Sequence, residues 1–253
     1  MKIILSPAKN LKETTELKYT SLNQPAFMEQ SSYLIKKLQK LSKKKIGDLM
    51  KISPALSDLN HSRYHSWENE ANAKNAIPAL EIFNGEVYRG LEAHTFSKTD
   101  LKSAQERLRI LSGLYGILKP NDLVQAYRLE MGTRLEITSK IKGLYKYWDD
   151  KLTNALNEEL KENEPVVNLA SKEYFSVLDF KALKGPVITC LFKEFRDGKY
   201  KFIQTFGKQA RGKMTQFIIK NKLNKVEDLK AFDLDNYKFA PKQSSENEFV
   251  FVR

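Results

Sequence analysis

Ser6-Pro-Ala-Lys9 has the S-x-x-K spacing of serine acyl enzymes, in which a lysine lowers the cost of taking the serine proton. Only two positions of that pattern are fixed, and the companion motifs of the class are absent. Strand termination at Ser6-Pro7 and a phosphate contact by Lys9 are therefore the preferred readings, and both residues stay site candidates because a loop after a first strand forms a natural cleft wall. A second constellation runs from Leu111-Ser-Gly-Leu-Tyr-Gly116 to Tyr127-Arg-Leu-Glu-Met-Gly132. It sets glycines, Tyr115 and the pair Arg128 and Glu130 around a strand end, where that pair either faces a cleft or forms a structural ion pair. In Asn168-Leu-Ala-Ser171-Lys172 a strand runs into a helix whose capped amides suit an anion. Lys208, Arg211, Gly212 and Lys213 open the last long helix, and a glycine beside an arginine would let a phosphate approach the backbone; this is the preferred phosphate contact. His61 and His65, spaced i, i+4, share one helix face, with His94 or Glu68 available as a third ligand. Packing or surface roles are commoner for such histidines, so no metal is assigned. Neither G-x-G-x-x-G nor a Walker lysine motif occurs, and no cofactor is implied.

The elements that must position these residues alternate between strand and helix. Lys2 to Leu5 reads as a buried strand followed by a loop. Phe27, Leu34, Leu38 and Leu41 mark an amphipathic helix closed by Lys43-Lys44-Lys45. Ile46 to Ile52 is a short helix, and Ser53-Pro54 caps and opens another through Tyr64. Ser97 to Asp100 has capping-box character before a helix that runs into the strand Ile110 to Leu114. Leu144 to Leu160 reads as helix and Val166 to Ala170 as strand. Val187 to Phe206 reads as a hairpin around Asp197-Gly198, and a long helix follows. Val226 to Phe232 is a further short helix, and Tyr237 to Val252 reads as a terminal pair of strands. There is no internal repeat or low-complexity linker. The expectation is one mixed α/β domain over 1–253, with a mixed sheet, surrounding helices and a helical hairpin subdomain at about 27–72.

The chain has 253 residues, a formal charge of +12 and one cysteine. A single thiol excludes internal disulfides, four-thiolate zinc and conventional iron–sulfur sites. No run of about 18 apolar residues is present and the N-terminus lacks a cleavable signal pattern, so a cytoplasmic protein without membrane attachment is expected. The positive charge is uneven. Residues 1–53 carry eleven lysines against four acids, and residues 181–225 carry twelve basic residues against two. Concentrated cations attract polyanions by releasing phosphate counterions, although 34 of the 43 basic residues are lysine, which also serves solubility.

Beyond these readings, the chain resembles the YaaA family of bacterial peroxide-stress proteins along essentially its whole length. The resemblance rests on Ser6-Pro-Ala-Lys9, Leu59-Asn60 with Arg63-Tyr64, Phe83-Asn-Gly-Glu-Val-Tyr88 with Gly90-Leu91, Leu111 to Gly116, Tyr127 to Gly132, Asn168 to Ser171 and Ala210-Arg-Gly212. Departures fall at Glu86, where aspartate is usual, at Ala126, where proline is expected, and at Asp149, where glycine usually follows the tryptophan. The resemblance implies a DNA-binding protein with an unusual α/β fold, a basic cleft and a helix-hairpin-helix element, which limits free iron under peroxide stress. That element corresponds to Leu34 through Tyr64. Because it offers only Gly47, its phosphate contacts are expected to rest on Lys43, Lys44, Lys45 and Lys51, joined by Arg63, Lys208, Arg211 and Lys213 elsewhere. DNA, duplex or distorted, is the expected partner, with weak sequence preference and no obligate protein partner. The rival expectation is an enzyme acting on a nucleobase, nucleotide or nucleic-acid end, with Ser6, Lys9, Asn60, Arg63, Tyr115, Arg128, Glu130, Ser171 and Lys172 gathered in one pocket.

Overall fold

A computed structural model describes residues 1–14 and 21–253. Glu16 and Lys18 of the first basic segment lie outside the described residues. The chain begins with β1 (Lys2–Leu5) and β2 (Asn10–Leu11), then enters α1 (Met28–Leu38), α2 (Lys43–Met50) and α3 (Pro54–His65). Next come β3 (Ile77–Pro78), α4 (Ala79–Ile82), β4 (Phe83–Asn84) and α5 (Glu86–Leu91), and α6 (Lys98–Arg107) leads into β5 (Leu108–Ser112), β6 (Gly116–Leu118) and β7 (Leu123–Val124). The second half holds α7 (Leu144–Trp148), α8 (Lys151–Glu159), β8 (Val166–Asn168), α9 (Lys172–Phe175), β9 (Val187–Arg196), β10 (Lys199–Lys201), α10 (Gln204–Lys220), β11 (Lys238–Phe239) and β12 (Glu248–Val252).

One eight-stranded sheet runs in the order β11-β12-β9-β8-β1-β5-β6, with β10 paired to β9. β12, β9, β8, β1 and β5 are mutually parallel, whereas β6, β10 and β11 join antiparallel. The fold is mixed α/β, as the alternation of elements predicts. β1 sits in the middle because all four of its residues are buried, with Ile3, Ile4 and Leu5 fully so. A strand covered on both faces needs such an unbroken apolar run, and each of those side chains contributes about 1.5–3 kcal/mol by leaving water. β9 instead alternates buried and half-buried residues, placing Cys190, Phe192 and Glu194 on its inner face. The β9–β10 turn puts Asp197 and Gly198 at φ 52° and 75°, the left-handed pair a two-residue hairpin favours.

Helix starts match their capping signals. Ser53 accepts from the Leu56 N–H with Pro54 in the first turn, and Ser97 and Asp100 form a reciprocal capping box. Several boundaries differ from the sequence reading. The triplet Lys43-Lys44-Lys45 does not close α1, which ends at Leu38; it opens α2, because Ser42 accepts the Lys45 N–H as N-cap. The stretch from Leu144 is two helices, since Asp149 adopts φ 45° and ψ −127° and breaks it. The loop after β1 contains β2, which pairs antiparallel with β4, while the short helix expected from Val226 is present as a 3₁₀ helix over Val226–Ala231. Among the described residues, no helix is long and apolar enough to cross a membrane.

α5 and α10 cross at contact between their backbones. A Cβ on Gly212 would stand 1.9 Å from the Val87 carbonyl oxygen, and one on Gly90 would stand 2.1 Å from that of Gln209. Gly212 is thus consumed by helix packing and is not open to a phosphate, which overturns the expected role of that glycine.

Candidate functional site

The parallel pairing of β1 with β8 aligns Ile4 with Asn168, so the residues just past both carboxyl ends must meet. They do: the Ser171 N–H donates to Ser6 Oγ at 2.8 Å, the Ser6 hydroxyl lies 3.3 Å from Ser171 Oγ, and the Tyr88 hydroxyl donates to the Ser6 carbonyl at 3.0 Å. Ser171 occupies the N-cap position of α9 without a side-chain capping bond of its own. A third wall is the irregular segment 127–130. Tyr127 is anchored to Ser112 at 2.6 Å between hydroxyls, Tyr64 of α3 donates to the Arg128 carbonyl, and Gly113 lets the Leu129 backbone approach to where a Cβ would be 2.2 Å away. α5 and α10 supply the remaining walls.

These segments enclose a cavity of about 530 Å³, whose lining includes Ser6, Lys9, Glu86, Arg89, Tyr127, Arg128, Glu130, Ser171, Glu173, Tyr174, Gln204, Lys208 and Arg211. Five cations thus face three carboxylates. Glu130 bridges two of the cations, with Lys9 Nζ at 2.7 Å and Arg128 Nη2 at 2.9 Å, so the Arg128–Glu130 pair both faces the cleft and is an ion pair. Lys9 is accordingly directed to a carboxylate, not to Ser6, and the acyl-enzyme geometry is not assembled. Glu86 pairs with Arg89 at 2.5 Å and accepts from Gln209 Nε2 at 2.5 Å, while Glu173 accepts the Gly132 N–H at 3.0 Å. Arg211 and Lys208 have no carboxylate partner among the described residues. The Nε atoms of Arg128 and Arg211 are buried with no hydrogen-bond partner, and the Arg211 guanidinium lies 5.5 Å from the Phe202 ring centroid. Burial pulls the Arg211 pKa down, the neighbouring Cys190 opposing.

The structure does not bring every expected residue here. Asn60 is fully buried in α3, donating to the Leu56 carbonyl at 2.8 Å, and Tyr115 is a core residue whose hydroxyl accepts from Trp67 Nε1 at 2.9 Å and the Gln125 N–H at 3.2 Å. Lys172 is exposed outside the cavity, and its neighbour Glu173 lines it instead. Lys213 is turned away to pair with Asp235. Arg63 donates to Asn60 Oδ1 at 3.5 Å and is half-buried, which pulls its pKa down against the influence of Glu13. Glu86, Arg89 and Glu173 were missed, although Glu86 lies inside one of the motifs that carry the family resemblance.

A separate groove of about 610 Å³ lies between α2 and α3, lined by Lys43, Lys44 and Lys51 together with Gly47, Asp48, Ser57 and Asp58. Lys45 and Arg63 do not line it, and Lys43 pairs with Asp58 at 3.2 Å. A larger concavity of about 680 Å³ adjoins the central cavity through Asn84 and Arg89 and includes His94, but holds none of the expected pocket or phosphate-contact residues. The His61 and His65 rings stack at 4.2 Å, and His65 Nδ1 engages the His61 carbonyl at 2.8 Å. No group of three His, Cys, Asp or Glu stands close enough to hold a metal among the described residues. Cys190 is 1% exposed and burial pushes its thiol up to about 12, despite the nearby Arg211 charge. Such a thiol lacks the thiolate that reacts with peroxide.

A mixed sheet carrying a cation-lined cavity at the carboxyl edge of its parallel strands defines a mixed α/β protein with its polar site at the strand ends. The family described as "Peroxide stress protein YaaA" matches residues 1–243, and the chain belongs to this family. A UPF0246 protein of Saccharophagus degradans is 49% identical over 255 residues, covering 100% of this chain and 99% of its own length. Similar proteins of Flavobacterium johnsoniae and Flavobacterium psychrophilum, also named UPF0246, are 46% and 47% identical over 253 residues with full coverage of both chains.

Proposed function

We propose that this member of the peroxide-stress family binds duplex or distorted DNA through backbone phosphates and so helps limit iron-dependent oxidative damage. The carrying observation is that two cation-lined concavities are tied together: Tyr64, at the end of the α2–α3 hairpin, holds the Arg128 carbonyl at the cavity wall. A chain of net charge +12 thereby presents lysines on the hairpin and arginines in the cavity on two joined walls of one fold. The hairpin contributes Lys44 and Lys51, with Lys45 and the Asp58-paired Lys43 beside them, while Lys208 and Arg211 in the cavity can meet only a strand end or a single displaced nucleotide; Arg63 and Lys213, already engaged with protein groups, are weaker contributors.

Fluorescence anisotropy with duplex, bulged and single-stranded DNA across a salt titration tests this. Affinity should fall steeply, each phosphate contact adding about 0.9 to the log–log slope on B-DNA. A Lys44→Glu, Lys51→Glu double variant should lower the slope by about 2. A flat salt dependence would sink the reading. The enclosure of Ser6, Arg128 and Glu130 in one cavity favours a second reading, an enzyme acting on a nucleobase, nucleotide or nucleic-acid end. Strand breaks or base loss in the recovered DNA would support that alternative, and intact DNA would count against it.

A further inference from the structure

From the charge ledger and the orphaned guanidinium atoms, we propose that the central cavity is a binding site for one phosphomonoester, clamped by Arg211 and Lys208. A cavity of about 530 Å³ falls in the range that holds one small ligand or one nucleotide, whereas a duplex, which is wider than its own major groove of about 12 Å, cannot enter it. Whatever binds there is a single group, even if it hangs from a polymer.

Its charge follows from the walls. Glu130 is shared by Lys9 and Arg128, and Glu86 is matched by Arg89, which leaves Arg211 and Lys208 with no anion among the described residues. The lining as a whole, five cations to three carboxylates, carries a surplus of two. A phosphomonoester carries about −1.5 to −2 at neutral pH, whereas a phosphodiester or a carboxylate carries −1. The monoester is the closer match.

Geometry adds the second argument. Arg211 Nε and Arg128 Nε are each sealed from solvent without an acceptor, an unfavourable state that a ligand oxygen would relieve. The Arg211 guanidinium carbon lies over the Phe202 ring, 5.5 Å from its centroid, a contact that uses none of its N–H donors and leaves them for an oxygen-rich group. Phe202 is itself 49% exposed, so part of its ring stays open beside the clamp for a base to contact.

The phosphomonoester can be a free mononucleotide or the phosphorylated end of a DNA strand. The second source rests on the DNA-binding reading, and the first does not. Calorimetric titration of the full chain compares deoxyadenosine 5′-monophosphate with its methyl phosphodiester and with deoxyadenosine. Anisotropy compares short duplexes bearing 5′-phosphate, 3′-phosphate or hydroxyl ends. The monoester should bind about tenfold or more tightly than the diester, and the nucleoside should not bind measurably. Arg211→Gln and the solvent-exposed Lys208→Gln should each weaken monoester binding about tenfold with thermal melting unchanged for Lys208→Gln. Preference for the free nucleotide, for a phosphorylated end or for both assigns the source and supports the site. Equal affinity for monoester and diester, absence of monoester binding by folded protein, or full affinity in Lys208→Gln overturns it. If hydroxyl-ended duplex fails to bind at any salt while the mononucleotide binds, the DNA reading falls and the phosphomonoester site stands.

Discussion

Gly212→Ala sets two physical effects of opposite sign against each other, and the structure decides which wins. By helix propensity alone, alanine in the middle of α10 should stabilise the protein by about 1 kcal/mol. The new methyl, however, would lie 1.9 Å from the Val87 carbonyl oxygen and 2.6 Å from the Leu91 nitrogen, both backbone atoms of α5 that no rotamer change can clear. Relief requires α5 and α10 to part by more than about 1 Å, a backbone overpacking that costs the upper end of the usual 1–3 kcal/mol or more and strips contact from Ala210 and Met214 as well. The expected net result is a loss of about 2 kcal/mol or more. That corresponds to a melting shift of about 4–8 °C in a chain of this size. Urea unfolding followed by circular dichroism measures it, with the denaturant midpoint falling and the slope preserved. Gly90→Ala, whose methyl would meet the Gln209 carbonyl at 2.1 Å, should behave alike. A Gly212→Ala protein as stable as the parent would refute the close helix crossing and, with it, the position of the cavity wall that α5 and α10 make.

Two further outcomes follow from buried groups. Asp122 is 4% exposed, and burial pushes its carboxyl up to about 7 although the Lys119 N–H donates to it at 2.7 Å. The unfolded chain releases that proton near 3.8 and the folded chain retains it to about 7, so this group makes stability fall as pH rises through that window and level off above it. Asp122→Asn keeps an acceptor for Lys119 and should flatten the difference between pH 4 and pH 8, gaining up to about 4 kcal/mol at the upper end; paired denaturation curves with an unchanged pH slope would contradict it. Cys190, pushed up to about 12, should resist iodoacetamide and hydrogen peroxide in native protein at pH 8 and react only on unfolding. Mass spectrometry showing equal native and unfolded rates would count against the buried thiol.

What the sequence reveals and what it hides have a common physical origin. Local signals act over a few residues, and these were legible: the Ser53 and Ser97 caps, the Asp197-Gly198 turn and the apolar run of β1 all stand where side-chain chemistry put them. Ser6, Lys9, Arg128, Glu130, Ser171, Lys208 and Arg211 were equally legible as polar residues near element ends, and the cavity gathers all seven. Asn60, Tyr115 and Lys172 share that polarity but not that place. Their neighbours in space are chosen by packing, and a tyrosine whose hydroxyl serves a tryptophan in the core has the same one-letter signature as one that lines a cleft. Gly212 makes the point most sharply. A glycine next to an arginine suits a phosphate or a crossing helix equally well, and only the partner α5, over a hundred residues earlier, separates the two.

That same partnership explains how Arg211 comes to lack an anion. On α10 it follows Ala210 and precedes Gly212, both of which are buried against other elements, so its backbone direction is set by packing alone. The side chain is then delivered to the cavity, braced on one face by Phe202, with Cys190 of β9 near it and no carboxylate in reach among the described residues. A packed core normally avoids an unpaired guanidinium by pairing it or turning it to water, because desolvating an isolated charge is costly. Here no such pairing is made, and Glu130, which lines the same cavity, is already taken by Lys9 and Arg128. An anion supplied from outside the chain satisfies both constraints at once, which is why the phosphomonoester site and the Gly212 crossing stand or fall as linked consequences of one helix contact.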